Sequence, residues 1–206
     1  MDLDVAVSGA DQDRARAEAR RLAGAKPDFL LSFGFAAGLT LGLPAGTAVL
    51  AHTIVAETGE RWDVDAKWRE RLASALAMPL VGGGIAALDR AVETSAAKRR
   101  VAAATGAVAA DMESGVLARV ASARNIPLVV LRVVCDPVDR RLPRAFLELV
   151  DYKGRLRPAR LPSILPHLGT ALPLAIESAR AGRRLKYAAG RLGQVEVRPR
   201  ARPCNS

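Results

Sequence analysis

Two acidic side chains, Glu113 and Asp136, sit where a chain of alternating helices and strands gathers ligands. Asp136 ends the run Leu128-Val129-Val130-Leu131-Arg132-Val133-Val134-Cys135-Asp136, which is apolar on both faces and so predicts a buried parallel strand. Ligands of such sheets collect beyond the carboxyl ends of the strands. Asp136 occupies that end, held by Pro137 and followed by a second acid, Asp139. Glu113 lies in Asp111-Met112-Glu113-Ser114, where a short strand from Ala107 to Ala110 is predicted to exit into a helix on the same rim. The two oxygens of a carboxylate can accept hydrogen bonds from neighbouring hydroxyls of a sugar. A carboxylate that is partly buried has a raised pKa and can give a proton to a leaving group near neutral pH. Glu113 suits the first task and Asp136 the second. Taken singly, each acid is as well explained by a structural duty: Asp136 capping the chain that follows, Glu113 favouring a helix N-terminus.

Several elements must position these acids. Met112, Val116, Leu117, Val120 and Ala121 recur at helical spacing and Asn125-Ile126-Pro127 stops that helix, leading directly into the long strand. Leu3, Val5 and Val7 alternate with polar or small residues, predicting a strand into the turn Ser8-Gly9. Ala15, Ala19, Leu22 and Ala23 form the apolar stripe of a helix that Gly24 closes, followed by a strand from Phe29 to Phe33. A further strand is expected over Ala48 to Ala51. A helix is predicted from Trp62 to Met78, with Trp68, Leu72, Ala75 and Leu76 inward. Leu80-Val81 reads as a strand leading to a flexible loop, Gly82-Gly83-Gly84, which matches no phosphate-binding signature. Thr94 caps a helix whose Lys98, Arg99 and Arg100 read as a solvated face. Beyond Asp136, a short helix through Phe146 and Leu149 reads as a lid, and the segment from Leu161 to Ala189 ends in an Ala/Leu-rich helix. This alternation predicts an α/β fold.

The 206 residues suit one domain, expected over 1–190, with a basic tail over 191–206 expected to be disordered. Eight of the basic residues lie from Arg180 onward against the single acid Glu196, so that portion carries +7 of the formal +10. Such a tail can approach an anionic membrane surface, and without interleaved aromatics nucleic acid is not an expected partner. Two cysteines, Cys135 and Cys204, provide neither a disulfide framework nor a metal knuckle, and the acidic start Met1-Asp2-Leu3-Asp4 does not read as a signal peptide. A cytoplasmic setting follows. The histidines, His52 and His167, adjoin no obvious nucleophile, which argues against a Ser-His-Asp triad, and no metal site is expected. The run between Asp28 and Glu57, free of Asp, Glu, Lys and Arg and with Gly34, Gly38, Gly42 and Gly46 every fourth residue, invites a membrane-helix reading. Pro44 and the glycines favour strand-turn-strand instead.

Met112-Glu113, followed by a strand ending Arg132-Val133-Val134-Cys135-Asp136, resembles the nucleoside phosphorylase and methylthioadenosine/adenosylhomocysteine nucleosidase superfamily. The resemblance implies a three-layer α/β sandwich around a mixed, largely parallel sheet. It also implies an enzyme cleaving the N-glycosidic bond of a purine nucleoside, with Met112 and Glu113 on the ribose and Asp136 protonating N7 of the base. Arg132, inside the strand, reads as a buried partner of a carboxylate. Ser32-Phe33-Gly34-Phe35-Ala36-Ala37-Gly38-Leu39 resembles the glycine-rich loop of the same superfamily, placing Phe35, Ala36 and Ala37 along base and ribose. Ala37 stands where glycine is usual and Thr47 where an Asp is common. The segment Ile85 to Thr94 corresponds to the one that covers the purine, so Leu88 and Asp89 are base-contact candidates. Ser8 and Gly9 match a loop that binds phosphate or the nucleophile.

Within the superfamily, the length, the Asp111-Met112-Glu113-Ser114 sequence and the short purine segment look most like the hopanoid-associated phosphorylase branch, which releases adenine from adenosylhopane. That resemblance implies an adenine nucleoside, lipid-linked, as substrate, inorganic phosphate as possible co-substrate, no organic cofactor, a homo-oligomer and peripheral membrane contact through the tail. Members ordinarily begin with one more strand, carrying a glutamate that activates water in hydrolytic relatives; here the first strand is expected to be absent. The alternatives are a methylthioadenosine/adenosylhomocysteine-type nucleosidase and a truncated, non-catalytic nucleoside-binding or membrane-associated protein.

Overall fold

The computed structural model describes residues 3–9, 11–140 and 168–193, with only the backbone of 168–176. Its strands are β1 (Leu30–Gly38), β2 (Ala48–Ala56), β3 (Arg61–Asp63), β4 (Val81–Ala87), β5 (Ala107–Asp111) and β6 (Leu128–Asp136). The helices are α1 (Gln12–Gly24), α2 (Ala66–Leu76), α3 (Ser95–Thr105), α4 (Ser114–Ala123) and α5 (Leu168–Leu192). The strands form one mixed sheet in the order β3-β2-β4-β5-β1-β6, and β2 also pairs with β6. Strands β2, β4, β5, β1 and β6 therefore close into a ring, with the three-residue β3 outside it. Parallel pairings join β1 to β6, β2 to β4 and β4 to β5; β1–β5, β2–β3 and β2–β6 are antiparallel.

Residue type explains where each helix lies. The alanine stripe Ala15, Ala19 and Ala23 lets α1 pack closely, and its Ala23 joins Ala118 and Ala121 of α4 against Leu30, Val130 and Val134. The opposite face is covered by α2 and α5: Trp68, Leu72 and Leu76 meet Ala188 and Leu192 over Leu50, Val129 and Leu131. Phe29 stacks on Trp68 at a centroid distance of 4.3 Å. A third cluster, Leu39, Ala86, Leu88, Ala107 and Ala110, lies under Val101 and Ala102 of α3. Helix starts follow the capping rule, with Asp11, Asp65 and Thr94 side chains accepting from backbone N–H groups of the first turn.

Several expectations are corrected. Residues 3–7 pair with no strand among the described residues, and Leu3, Val5 and Val7 are exposed. Alternation marks a strand only when a sheet edge takes it up, and β1 already has a neighbour on each side. Trp62 belongs to β3, where it pairs with Ile54, and the helix begins after the Asp65 cap. The triple glycine is an integral part of β4. A Cβ on Gly82 would come within 2.6 Å of the His52 ring, and one on Gly83 within 2.5 Å of Val108. These glycines are bare because neighbouring strands press side chains across them. The glycine-spaced run 28–57 folds as β1, a turn and β2, and no helix among the described residues is long and apolar enough to cross a membrane. The helix expected through Phe146 and Leu149 lies outside the described residues. So does the tail beyond Gly193, although α5 itself runs past the expected boundary at 190 to Leu192.

Gly83→Ala should lower unfolding free energy by about 1–3 kcal/mol, through overpacking against Val108 and through the strain of a side chain at a φ of 155°. Part of that loss should return in the Gly83→Ala/Val108→Ala double variant, measured by urea denaturation. Strict additivity of the two substitutions would show that the Gly83–Val108 contact is not what excludes a side chain there.

Candidate active site

The carboxyl ends of β5 and β6 meet over the end of β1. Strand β5 pairs with β1 through only two positions, Ala37 with Ala110 and Gly38 with Ala109, while Ala37 also lies opposite Asp136 of β6. The acids that end β5 and β6 therefore flank Ala36 and Ala37. Ala36 is buried and its carbonyl accepts from Cys135 Sγ at 3.6 Å. Phe35 turns its ring outward, at 44% exposure, while its carbonyl faces Arg132.

Arg132 organises one half of this region. It is buried inside β6, opposite Gly34 of β1, and a Cβ on Gly34 would lie 2.6 Å from Nη1. The glycine leaves room for the guanidinium. Its Nε meets Asp111 Oδ2 at 2.5 Å, Nη1 meets Glu113 Oε2 at 3.1 Å and Nη2 donates to Ser32 Oγ at 2.6 Å. The other oxygen of Asp111 accepts from Ser114 Oγ at 2.6 Å and from the N–H groups of Ser114 and Glu113 at 3.0 and 3.2 Å. Asp111 thus anchors Arg132 and caps α4 at once, and Glu113 is aimed by both. Burial raises the Glu113 pKa; Arg132 opposes the rise and Asp111 adds to it.

Asp136 forms the other half. It is 3% exposed, and Lys98 of α3, wholly buried, places Nζ 2.7 Å from Oδ2. Burial lifts its pKa to about 6 against the pull of Lys98, with Glu177 and Asp139 adding to the rise. The raised pKa that sequence reasoning attached to burial is present. A capping duty is not, since no backbone N–H among the described residues donates to either carboxylate oxygen. Cys135, beside it, is pushed up to about 12, mainly by burial, and is a neutral thiol at physiological pH. Lys98 corrects an expectation: Val101 and Ala102, three and four residues on, share its side of the helix and pack into the core, while Arg99 and Arg100 are exposed. The run of three basic residues obscured that periodicity.

The remaining candidates separate into a second group. A cavity of about 310 Å³ is lined by Met112, Leu88 and Asp89, together with Gln12, Arg16 and Glu57 among others. Gln12 Nε2 donates to the Leu88 carbonyl at 3.1 Å and to Asp89 Oδ1 at 3.4 Å, fixing the start of α1 beside this cavity. Glu113, Asp136 and Phe35 are not among its lining. Ser8 and Gly9 lie just upstream, Ser8 Oγ donating to the Gly9 carbonyl at 3.2 Å and Gly9 adopting a φ of 61°.

Residues 8–163 match the family model of the phosphorylase superfamily. The chain belongs to that superfamily. Among solved structures, it is similar to the 5′-methylthioadenosine/S-adenosylhomocysteine nucleosidase of Helicobacter pylori, crystallised with butyl-thio-DADMe-Immucillin-A. The identity is 16% and the TM-score 0.61, over 89% of this chain and 76% of that one. The Campylobacter jejuni nucleosidase of the same name gives 16% and 0.63, over 89% and 77%. Futalosine hydrolase of H. pylori gives 15% and 0.62, over 89% and 76%. At these identities the likeness is one of fold, and the mixed sheet with its flanking helices is the fold these phosphorylase-superfamily relatives share. No curated protein matches the chain.

Arg132→Met should strand the buried carboxylate of Asp111 and the partly buried one of Glu113 and cost about 3–5 kcal/mol by urea unfolding. Glu113 in the folded variant holds its proton at a pH where the unfolded chain has released it. Stability should therefore be highest in acid and fall as pH rises through and above the ordinary carboxylate range. A loss independent of pH would exclude Glu113 as the group left unpaired.

Proposed function

We propose that this member of the phosphorylase superfamily cleaves the N-glycosidic bond of an adenine nucleoside. The observation that carries the reading is the pairing of two differently tuned acids at the end of β1: Glu113, held by Arg132, and Asp136, whose pKa of about 6 lets it hold a proton near neutrality. In this reading Glu113 accepts hydrogen bonds from the ribose hydroxyls, and its negative charge favours the cationic character that develops at the anomeric carbon. As the bond from C1′ to N9 breaks, its electron pair passes to the base. Asp136 gives its proton to N7, and adenine leaves neutral. A phosphate oxygen, or water with loss of a proton, then bonds to C1′, and Asp136 regains its proton from solvent. Met112, Leu88 and Asp89 would contact ribose and base, Phe35, Ala36 and Ala37 would line them, and Ser8 and Gly9 would take the phosphate or nucleophile. Inorganic phosphate is the co-substrate where the sugar is captured by phosphate, water where it is hydrolysed, and no organic cofactor is called on.

The substrate we favour is adenosylhopane, on the resemblance carried by Asp111-Met112-Glu113-Ser114. A lipid substrate fits the charge of the C-terminal region: Arg180, Arg183 and Lys186 are exposed on α5, so an otherwise cytoplasmic protein could meet an anionic membrane surface there. A homo-oligomer is part of the same reading. The second reading is a nucleosidase of methylthioadenosine or adenosylhomocysteine, favoured by the names of the structural neighbours.

Adenine release from adenosylhopane and from methylthioadenosine, each with and without phosphate, separates the readings. Release from the hopanoid only with phosphate is the expected result. Release from the small nucleoside alone moves the assignment to the second reading, and no release from either leaves a nucleoside-binding protein without turnover. Asp136→Asn should lower kcat by about 10²–10⁴-fold with the fold intact by circular dichroism. Because the protonated acid is the active form, wild-type turnover should decline as pH rises above about 6. A rate that rises through that range would rule out Asp136 as the proton donor.

A further inference from the structure

A lysine with no solvent exposure must find partners for all of its hydrogens. Lys98 does so on one short run of chain: Nζ lies 2.7 Å from Asp136 Oδ2 and donates to the carbonyls of Pro137 at 2.8 Å and Arg140 at 3.0 Å. The ammonium thus staples α3 to the end of β6 and the turn after it. Asp136 Oδ1, buried and accepting no hydrogen bond among the described residues, is the oxygen left over.

We propose that Lys98 is the positioning residue of the acid step: by holding Oδ2 it fixes the carboxyl plane and makes Oδ1 the oxygen that carries and delivers the proton. This rests on the reading of Asp136 as the acid. When Oδ1 gives its proton to the base, the carboxylate that remains is formed against a cation already in place. The surroundings of Asp136 set the balance. Lys98 faces it from α3, Asp139 and Arg140 from the following turn, and Glu177 from α5, with Glu177 Oε1 3.2 Å from Arg140 Nε. Lys98 favours the anion while burial, Glu177 and Asp139 favour the protonated form. A lysine serving only to join α3 to the turn would influence stability but neither the proton affinity of Asp136 nor the pH at which turnover declines.

The test is a ¹³C-carboxyl titration of the full chain, the Asp136 signal assigned through Asp136→Asn, in wild type, Lys98→Met, Lys98→Gln and Lys98→Arg. In either neutral variant the Asp136 midpoint should rise by about one pH unit or more, a tenfold gain in proton affinity. The decline of kcat with pH should move up with it, and plateau kcat should fall roughly 10–100-fold with little change in KM, as expected for a misplaced group. Lys98→Arg, which keeps the charge, should restore the wild-type midpoint. Should the neutral variants fail to fold, the ¹⁵N signal of Lys98 Nζ in wild type should titrate with the Asp136 midpoint, and indifference to it overturns the proposal. An unmoved midpoint in a folded, active neutral variant overturns the role of Lys98 and leaves the glycosidic reading standing. No turnover by wild type on either nucleoside, with the midpoint shift intact, overturns the glycosidic reading and upholds the hold of Lys98 on the carboxyl.

Discussion

A guanidinium buried in the middle of a sheet is costly unless every one of its edges is met. Arg132 is in that position, and much of the site follows from how its needs are satisfied. Asp111 takes one edge, Glu113 another and Ser32 a third, so the end of β5, the start of α4 and the middle of β1 are drawn to a single point on β6. Gly34 is bare because the guanidinium lies against it. Asp111 cannot be spared for chemistry, since it also caps α4 through Ser114. Glu113, by contrast, is only partly buried, so one carboxylate of this charge cluster remains in reach of a ligand.

The two acids at the ends of these strands are tuned by different cations. Glu113 answers to a fixed, delocalised charge that also serves a neighbour, and Asp136 to a compact ammonium from a separate helix. Burial raises both, but the cations that oppose it, Arg132 and Lys98, come from independent parts of the fold. In the proposed mechanism, this separation is what lets one carboxylate serve as an anion and the other as an acid.

Sequence pattern located most of this, because the relevant features are local. The apolar run of β6, the alanine stripe of α1 and the Thr94 cap each leave a signature within a few residues. What was hidden depends on partners distant in the chain. Gly82-Gly83-Gly84 looks like a flexible loop until His52 and Val108 are seen to press on it. Trp62 joins a strand because Ile54 stands ready to pair with it, and the alternation of Leu3 to Val7 leads nowhere because no sheet edge receives it. Residue type alone makes Lys98 look solvated, although its spacing from Val101 and Ala102 places it on the buried side. Met112, Leu88 and Asp89 line a space that Glu113 and Asp136 do not, a division that spacing along the chain does not reveal.

The closure of the sheet has a consequence for how the chain comes to be folded. Strand β6 is the last of the ring in sequence, yet it pairs with β1 along its length and seals the ring against β2. Until it arrives, β1 lacks its long parallel neighbour and the face shared by Leu30, Ala36 and Val130 stays open. A nascent chain that has emerged only as far as α4 can form helices and the β2–β4–β5 pairings, but it cannot complete the core. The charge cluster is also unmade at that stage, because Arg132 and Asp136 travel on the same final strand. Assembly of the acids is therefore coupled to the slow, long-range step of folding, and a molecule that has failed to close its sheet has no site.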